Sequence, residues 1–306
     1  MIKLMIKILF IRSNKAFLPE VEAYIHYFNK TEGFKAYDSS KFEGEYMLED
    51  FDVVWEFKGL GGLKIKEDQI LIHEYASLST GSFPKFKNLM KTTINPKPNL
   101  RIFLNENVRL GFGFKDSIEY CYRDMGIDEN FLKLRSSKKD YDFVYVGSIS
   151  REREVEKLLE NFSKNKIGKI CMVGNVDNEI FNKYKNNGNI IFTGKVPYSE
   201  VPKIASKAVY GINFMPDKYP FKLQTSTKLL EYLALDLKVI TTNYSWVRQF
   251  ERSHNCSFYK MNMNEFNINI NELEKYEFKN NLNVNDFLWD RIIEQSKIKK
   301  NILQLI

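Results

Sequence analysis

Cysteine and histidine are scarce in this 306-residue chain, at three each, and glycine and proline number only 15 and eight. The cysteines, Cys121, Cys171 and Cys256, are odd in number and far apart, which excludes a disulfide framework and suits a reducing, cytoplasmic setting. No His/Cys/carboxylate cluster has ligand spacing, so no metal is expected. Long apolar runs are missing as well. None approaches the ~20 residues that span a bilayer, and the N-terminal MIKLMIKILFI, broken by Lys3 and Lys7 and lacking a small-residue cleavage site, reads as a first strand. Zinc-finger spacing and RNP-like aromatic motifs are absent, so the net charge of +7 points to an anionic small ligand and not to nucleic acid.

What the chain has is core material: 43% hydrophobic and 14% aromatic residues, enough for two domains of ordinary size. Apolar strands alternate with helical spacing throughout, the pattern of an α/β protein with parallel sheets. In the first half the strands are Lys3 to Ile11, Phe34 to Tyr37, Asp52 to Phe57 (DVVWEF) and Gln69 to Glu74 (QILIHE), with a helix opening at Pro19. Polar LRSSKKDY (134–141) reads as a linker, after which DFVYVGSISREREVEKLLENF restarts the strand, glycine turn and helix. The expected division is an N-terminal domain over 1–137, a C-terminal domain over 138–285 and a final helix over 286–306.

The most informative stretch is Asn213 to Trp246, NFMPDKYPFKLQTSTKLLEYLALDLKVITTNYSW. It reads as the end of one strand, a loop, a helix entered near Thr225 to Thr227 with Leu229, Leu230, Leu233 and Ala234 on one face, and a further strand. That arrangement presents the free N–H groups of Thr225, Ser226 and Thr227 to a phosphate, with Lys228 as a cation. Glu231 is the one acid on this apolar helix, and a ribose diol is a natural partner for it.

KLLEYLALDLKVI resembles the donor-binding segment of the retaining, family 4 (group 1) glycosyltransferases, whose pattern is close to K-L-L-E-Y-x-A-x-G-x-P-V-I. The resemblance implies the GT-B fold, two Rossmann-like domains facing a cleft. It also implies transfer of a sugar from a UDP- or GDP-linked donor to a glycan or lipid-linked acceptor in polysaccharide or glycoconjugate synthesis, with no cofactor and no metal. Glu231 would hold the ribose. An Arg and a Lys after the glycine turn would hold the diphosphate, and those positions are Ser148 and Arg153 here, with Arg151 nearby. The GKVP loop would meet the base through the backbone of Lys195 and Val196. A His or Asp ending an N-domain strand would face the sugar, which matches His73, with neighbouring Glu74 the competing candidate. Three departures are visible: Asp236 replaces the helix-ending Gly, Lys238 the Pro, and Leu223 an earlier sugar-side Glu. An epimerase on the same fold and a non-catalytic nucleotide-sugar-binding protein are the alternatives.

Three further patterns carry expectations. Gly59 to Gly62 (GLGG) reads as a plain turn. Asp50-Phe-Asp52 and Asp140-Tyr-Asp142 spell D-x-D but precede their strands, at the end of a sheet where ligands do not bind. Pro84 to Arg101 has five basic residues and no acid, with Phe86, Leu89, Met90 and Ile94 at helical spacing. That is either a basic amphipathic helix touching an anionic membrane or a core-facing helix with a solvated back.

Overall fold

In the computed structural model, the described residues are 5–12, 18–42, 45–165, 167–263 and 267–306. The loop after the first strand lies largely outside them, at 13–17. Two compact units are present: 1–126 with 288–306, and 127–287.

The first unit contains β1 (Ile6–Ile11), α1 (Pro19–Lys30), β2 (Phe34–Asp38), β3 (Val53–Phe57), β4 (Ile70–Tyr75), α2 (Pro84–Ile94), β5 (Leu100–Phe103), α3 (Glu106–Phe112) and β6 (Tyr120–Tyr122). Its strands form one parallel sheet in the order β2-β1-β3-β4-β5-β6. One face of the sheet (Ile8, Phe10, Val53, Trp55, Ile70, Ile72, Leu100, Ile102) packs on Val21, Tyr24 and Phe28 of α1. The strands read as near-continuous apolar runs because helices must cover both faces of such a sheet.

The second unit contains α4 (Asn130–Lys133), β7 (Tyr141–Val146), α5 (Val155–Lys164), β8 (Ile170–Val173), α6 (Asn178–Tyr184), β9 (Ile190–Gly194), α7 (Val201–Ala205), β10 (Ala208–Asn213), α8 (Thr227–Ala234), β11 (Lys238–Thr242), α9 (Ser245–His254), β12 (Tyr259–Met261) and α10 (Ile270–Lys275). Its sheet order is β12-β11-β10-β7-β8-β9, parallel throughout. Strand order reverses between β7 and β10, and in doubly wound sheets ligands bind beyond the carboxyl ends of the strands at that switch.

Two sequence expectations shift. The polar stretch 134–141 lies inside the second unit instead of linking the two. Its polarity serves helix ends: the Arg135 guanidinium donates to the Ala234 carbonyl at 3.0 and 2.7 Å and the Lys139 ammonium to the Ser206 carbonyl at 2.7 Å. The C-terminal segment is two helices, α11 (Trp289–Gln295) and α12 (Ile298–Leu305), broken at Lys297, whose φ is +59°. The break lets Ile293, Ile298 and Ile302 all enter the first unit's core.

The first unit also buries a charge cluster. Arg123, 1% exposed, pairs with Glu74, lies 3.5 Å from Glu20 and donates to the Tyr24 hydroxyl at 3.0 Å. Glu74 accepts in turn from the Trp55 indole at 2.9 Å. Removing one member of such a group strands the others in low dielectric, at a cost of about 3–5 kcal/mol. Arg123→Met should therefore destabilise the first unit by that amount in urea unfolding, with the second unit's transition unchanged; a loss below about 1 kcal/mol would mean that Glu20 and Glu74 find other partners.

Candidate active site

The carboxyl ends of β7, β8 and β9 finish in Gly147, Gly174 and Gly194, all with positive φ (+135°, +142° and +70°). A side chain on Gly174 would stand 2.1 Å from the Gly147 carbonyl oxygen, so only glycine lets these strand ends turn side by side. Gly211 of β10 plays a related part. A Cβ there would sit 2.5 Å from the Tyr232 ring, and its absence seats α8 directly on the sheet. The Tyr232 hydroxyl then accepts from the Val146 N–H at 2.8 Å, tying α8 to the end of β7.

The start of α8 is fixed from below. Buried Asn213, the last residue of β10, accepts from the Ser226 hydroxyl at 2.8 Å and donates to the hydroxyls of Thr241 and Tyr244 at 3.0 and 3.1 Å. Ser226 is the N-cap, yet its side chain makes no cap bond. Its backbone carbonyl accepts from the Leu229 and Leu230 amides at 3.1 and 3.3 Å, which starts the helix directly after Asn213's partner.

On this helix two charges are withheld from water. The Lys228 ammonium has no hydrogen-bond partner and no solvent exposure. It lies over the Tyr145 ring at 4.3 Å, and a Cβ on Gly147 would be 3.6 Å from it. Burial, and then the Arg153 charge, depress its pKa well below that of an ordinary lysine. A buried cation left without a partner is costly, so an anion is the group that would complete it. Arg153 is half-buried, with Nη1 3.7 Å from the Met215 sulfur and its guanidinium 5.6 Å from the Phe221 ring centre. Glu231, 4% exposed, accepts from the Tyr198 hydroxyl at 2.6 Å, and burial raises its pKa to about 7.

The remaining expected donor residues fall as follows. Ser148 is exposed and its carbonyl accepts from the Tyr145 hydroxyl at 3.0 Å. Arg151 is exposed and pairs with Glu179, leaving Arg153 as the arginine beside Lys228. Lys195 is exposed and Val196 half-buried, directly after Gly194. Asp236 has φ +60°, so it takes the left-handed turn a glycine would otherwise make. Tyr198 and Asn213 carry no motif signal. Tyr198 follows GKVP by one residue, and Asn213 was legible only as a polar residue ending an apolar strand.

In the first unit, His73 and Glu74 are both buried, at 0% and 1%. Glu74 belongs to the Arg123 cluster. On the opposite face of β4, His73 Nε2 stands 3.2 Å from Glu56 Oε2 but is poorly aligned for a hydrogen bond. Burial lowers the His73 pKa, which favours neutral imidazole. Burial also opposes the charge on Glu56, but His73 and the Lys58 ammonium at 3.2 Å hold it below the usual carboxylate range. The GLGG turn wraps this group: Lys58 donates to the Gly61 carbonyl at 2.6 Å, and the Asn95 side chain binds Gly59 and Gly61. Asp52 and Asp142 lie at the amino edges of β3 and β7, where each accepts from a backbone N–H. No metal-binding group of three or more His, Cys, Asp or Glu occurs among the described residues.

Residues 126–286 match the family model described as glycosyl transferases group 1. Among solved structures, AviGT4, a glycosyltransferase involved in avilamycin A biosynthesis, is 11% identical with TM-score 0.62, the match covering 98% of each chain. Anabaena HepE, in complex with UDP and glucose, is 9% identical with TM-score 0.61, covering 98% of this chain and 97% of that one. T4 phage BGT, in complex with UDP and Mn2+, is 15% identical with TM-score 0.56, over 98% and 97%. At these identities the likeness establishes the fold, that of GT-B glycosyltransferases. Among curated proteins no sequence match is found.

The raised pKa of Glu231 has a definite sign in stability. Below about pH 4 the carboxyl is neutral whether the chain is folded or not; between about 4 and 7 only the unfolded chain ionises it, so stability falls, and above 7 the whole cost is present. Glu231→Gln should accordingly gain on the wild type as pH rises from about 5 to about 8, by on the order of 3 kcal/mol across the full window. Thermal melts of both proteins without nucleotide check this, and a difference that does not vary with pH would show Glu231 ionised throughout.

Proposed function

The chain belongs to the glycosyl transferases group 1 family, and from that premise we propose that a nucleotide diphosphate sugar binds beyond the carboxyl ends of β7 and β10 and donates its sugar to a glycan or lipid-linked acceptor. The observation that carries this reading is the buried, unpartnered ammonium of Lys228 at the first turn of α8, beside Arg153 and the turn at Gly147. A diphosphate would supply the missing counter-charge and raise the lysine's depressed pKa. Glu231, three residues on, would exchange its bond to Tyr198 for ribose hydroxyls, and the backbone of Lys195 and Val196 would meet the base. UDP in two of the fold neighbours supports a uridine donor.

Transfer breaks the bond between the anomeric carbon and the diphosphate oxygen, and the departing group gathers negative charge. Lys228, Arg153 and the amides of α8 would stabilise that charge more as the bond breaks than before, which is what lowers a barrier. Two cations at that position could do the work of a divalent ion, so the reaction is proposed to need no metal. His73 is proposed to orient the sugar or take the acceptor proton as a neutral base, with Glu56 beside it. Glu74 is already committed to Arg123 and Trp55. The free thiols of Cys121, Cys171 and Cys256 accord with a cytoplasmic location.

Measurements of binding and of turnover test the reading. A nucleoside diphosphate at 100 times its dissociation constant should stabilise the protein by about 2.7 kcal/mol, and Glu231→Ala should weaken nucleotide binding at least about tenfold by calorimetry. Lys228→Ala and Arg153→Ala should each lose more turnover than donor affinity; normal turnover in both would move the diphosphate elsewhere. EDTA should leave transfer intact, and its loss would assign a metal. His73→Ala, if folded, should lose transfer about a hundredfold or more with nucleotide binding kept. Conversion of donor without acceptor would mark an epimerase, and tight binding without any turnover a non-catalytic protein.

A further inference from the structure

Helix α2 is turned inside out. Its one fully buried residue is Asn88, whose side-chain oxygen accepts from the Ser79 N–H at 2.9 Å. Its apolar residues face water: Phe86 is 60% exposed, Leu89 57% and Ile94 51%, and Phe83 at the N-cap reaches 80%. At about 100° per residue, Phe83, Phe86, Met90 and Ile94 share one side of the helix, with Leu89 at its edge and Asn88 roughly opposite. A helix packed for a soluble surface has the reverse arrangement. Exposed apolar residues are ordinary when scattered, but four on one helix face call for a partner.

The charges around this face identify the partner's chemistry. Between Glu74 and Glu106 the sequence has no acid. Lys85 lies on one flank of the apolar stripe and Lys87 and Lys91 on the other, and Lys97 follows the helix. No carboxylate among the described residues forms an ion pair with any of the four. Beside α2 a groove of about 490 Å³ is lined by two leucines, Met90, Lys87, Lys91 and three hydroxyl residues at 77, 79 and 80, so cations and apolar surface meet there as well. Protein partners with complementary acid patches bind cations, and apolar patches bind apolar surface. Aromatic and aliphatic side chains flanked on both sides by lysines without a carboxylate partner match a surface that is anionic at the top and hydrocarbon just beneath.

We infer that α2, with Phe83 before it, docks the protein on an anionic lipid surface: Phe83, Phe86 and Leu89 enter the headgroup–acyl boundary, and Lys85, Lys87 and Lys91 lie against lipid phosphates. No helix of the described residues is long and apolar enough to cross a membrane, so the attachment is to one leaflet and reversible. The inference is independent of which donor the second unit binds.

The test uses the full chain and cosedimentation with vesicles of phosphatidylcholine, with and without phosphatidylglycerol. Binding should require phosphatidylglycerol and fall at least tenfold between about 0.05 and 0.5 M salt, as surface charge is screened. Phe86→Ser with Leu89→Ser, and separately Lys85→Gln with Lys87→Gln, should each cut it at least about tenfold, with circular dichroism and thermal midpoint unchanged because these four side chains are exposed. Equal binding to pure phosphatidylcholine, undiminished binding by the two variants, or no binding by the wild type would overturn the inference. So would concentration-dependent dimerisation without lipid that Phe86→Ser and Leu89→Ser abolish, which would assign the face to a second copy of the chain.

Discussion

The second unit is built to keep two charges out of water on one helix. Lys228 and Glu231 are buried where α8 lies on its sheet, with Gly211 leaving room for the Tyr232 ring and Gly147 next to the Lys228 ammonium. The cost appears at both groups, since burial depresses the lysine's pKa and raises the glutamate's. Neither shift is relieved by a close internal ion pair. Stability is given up at one place, as is common where a protein binds a ligand.

The first unit treats buried charge in the opposite way. Arg123 has Glu74, Glu20 and Tyr24 around it, and Glu74 has Trp55 in addition. Every strong group in that cluster is answered, so it holds β4, α1 and β6 in register with nothing left to offer a substrate. Glu56, Lys58 and His73, on the other face of the same sheet, are less completely matched, with both His73 nitrogens short of a well-aligned partner. Buried charge alone therefore does not mark a functional site. The distinction lies in whether the neighbours satisfy it, which is a property of packing and not of residue type.

Much of the architecture was legible from periodicity. The strands at 34–37, 52–57 and 69–74 fall within a residue or so of β2, β3 and β4, and the face Leu229, Leu230, Leu233 and Ala234 is buried as its spacing requires. Asp236 adopts positive φ where the resembled pattern has glycine. The stretch 134–141 misled because polar composition looks the same whether side chains point to water or bond the carbonyl ends of helices, as Arg135 and Lys139 do. The apolar spacing of the final segment is that of one continuous helix, because it survives the break at Lys297.

The sequence by itself determined the α/β alternation, the start of α8 at Thr225 to Thr227 and the lone acid Glu231 on its apolar surroundings, because these depend on residues within one helical turn or one strand of each other. Tertiary structure alone decided that Lys228 has no partner, that Tyr198 occupies Glu231, that Glu74 is spent on Arg123, and that α2 turns Phe86 and Leu89 outward around a buried Asn88. Each of these joins groups far apart in the chain or sets a face against a neighbour. A helical period shows that a stripe exists, but which side of it meets the core is fixed only when the rest of the molecule is in place.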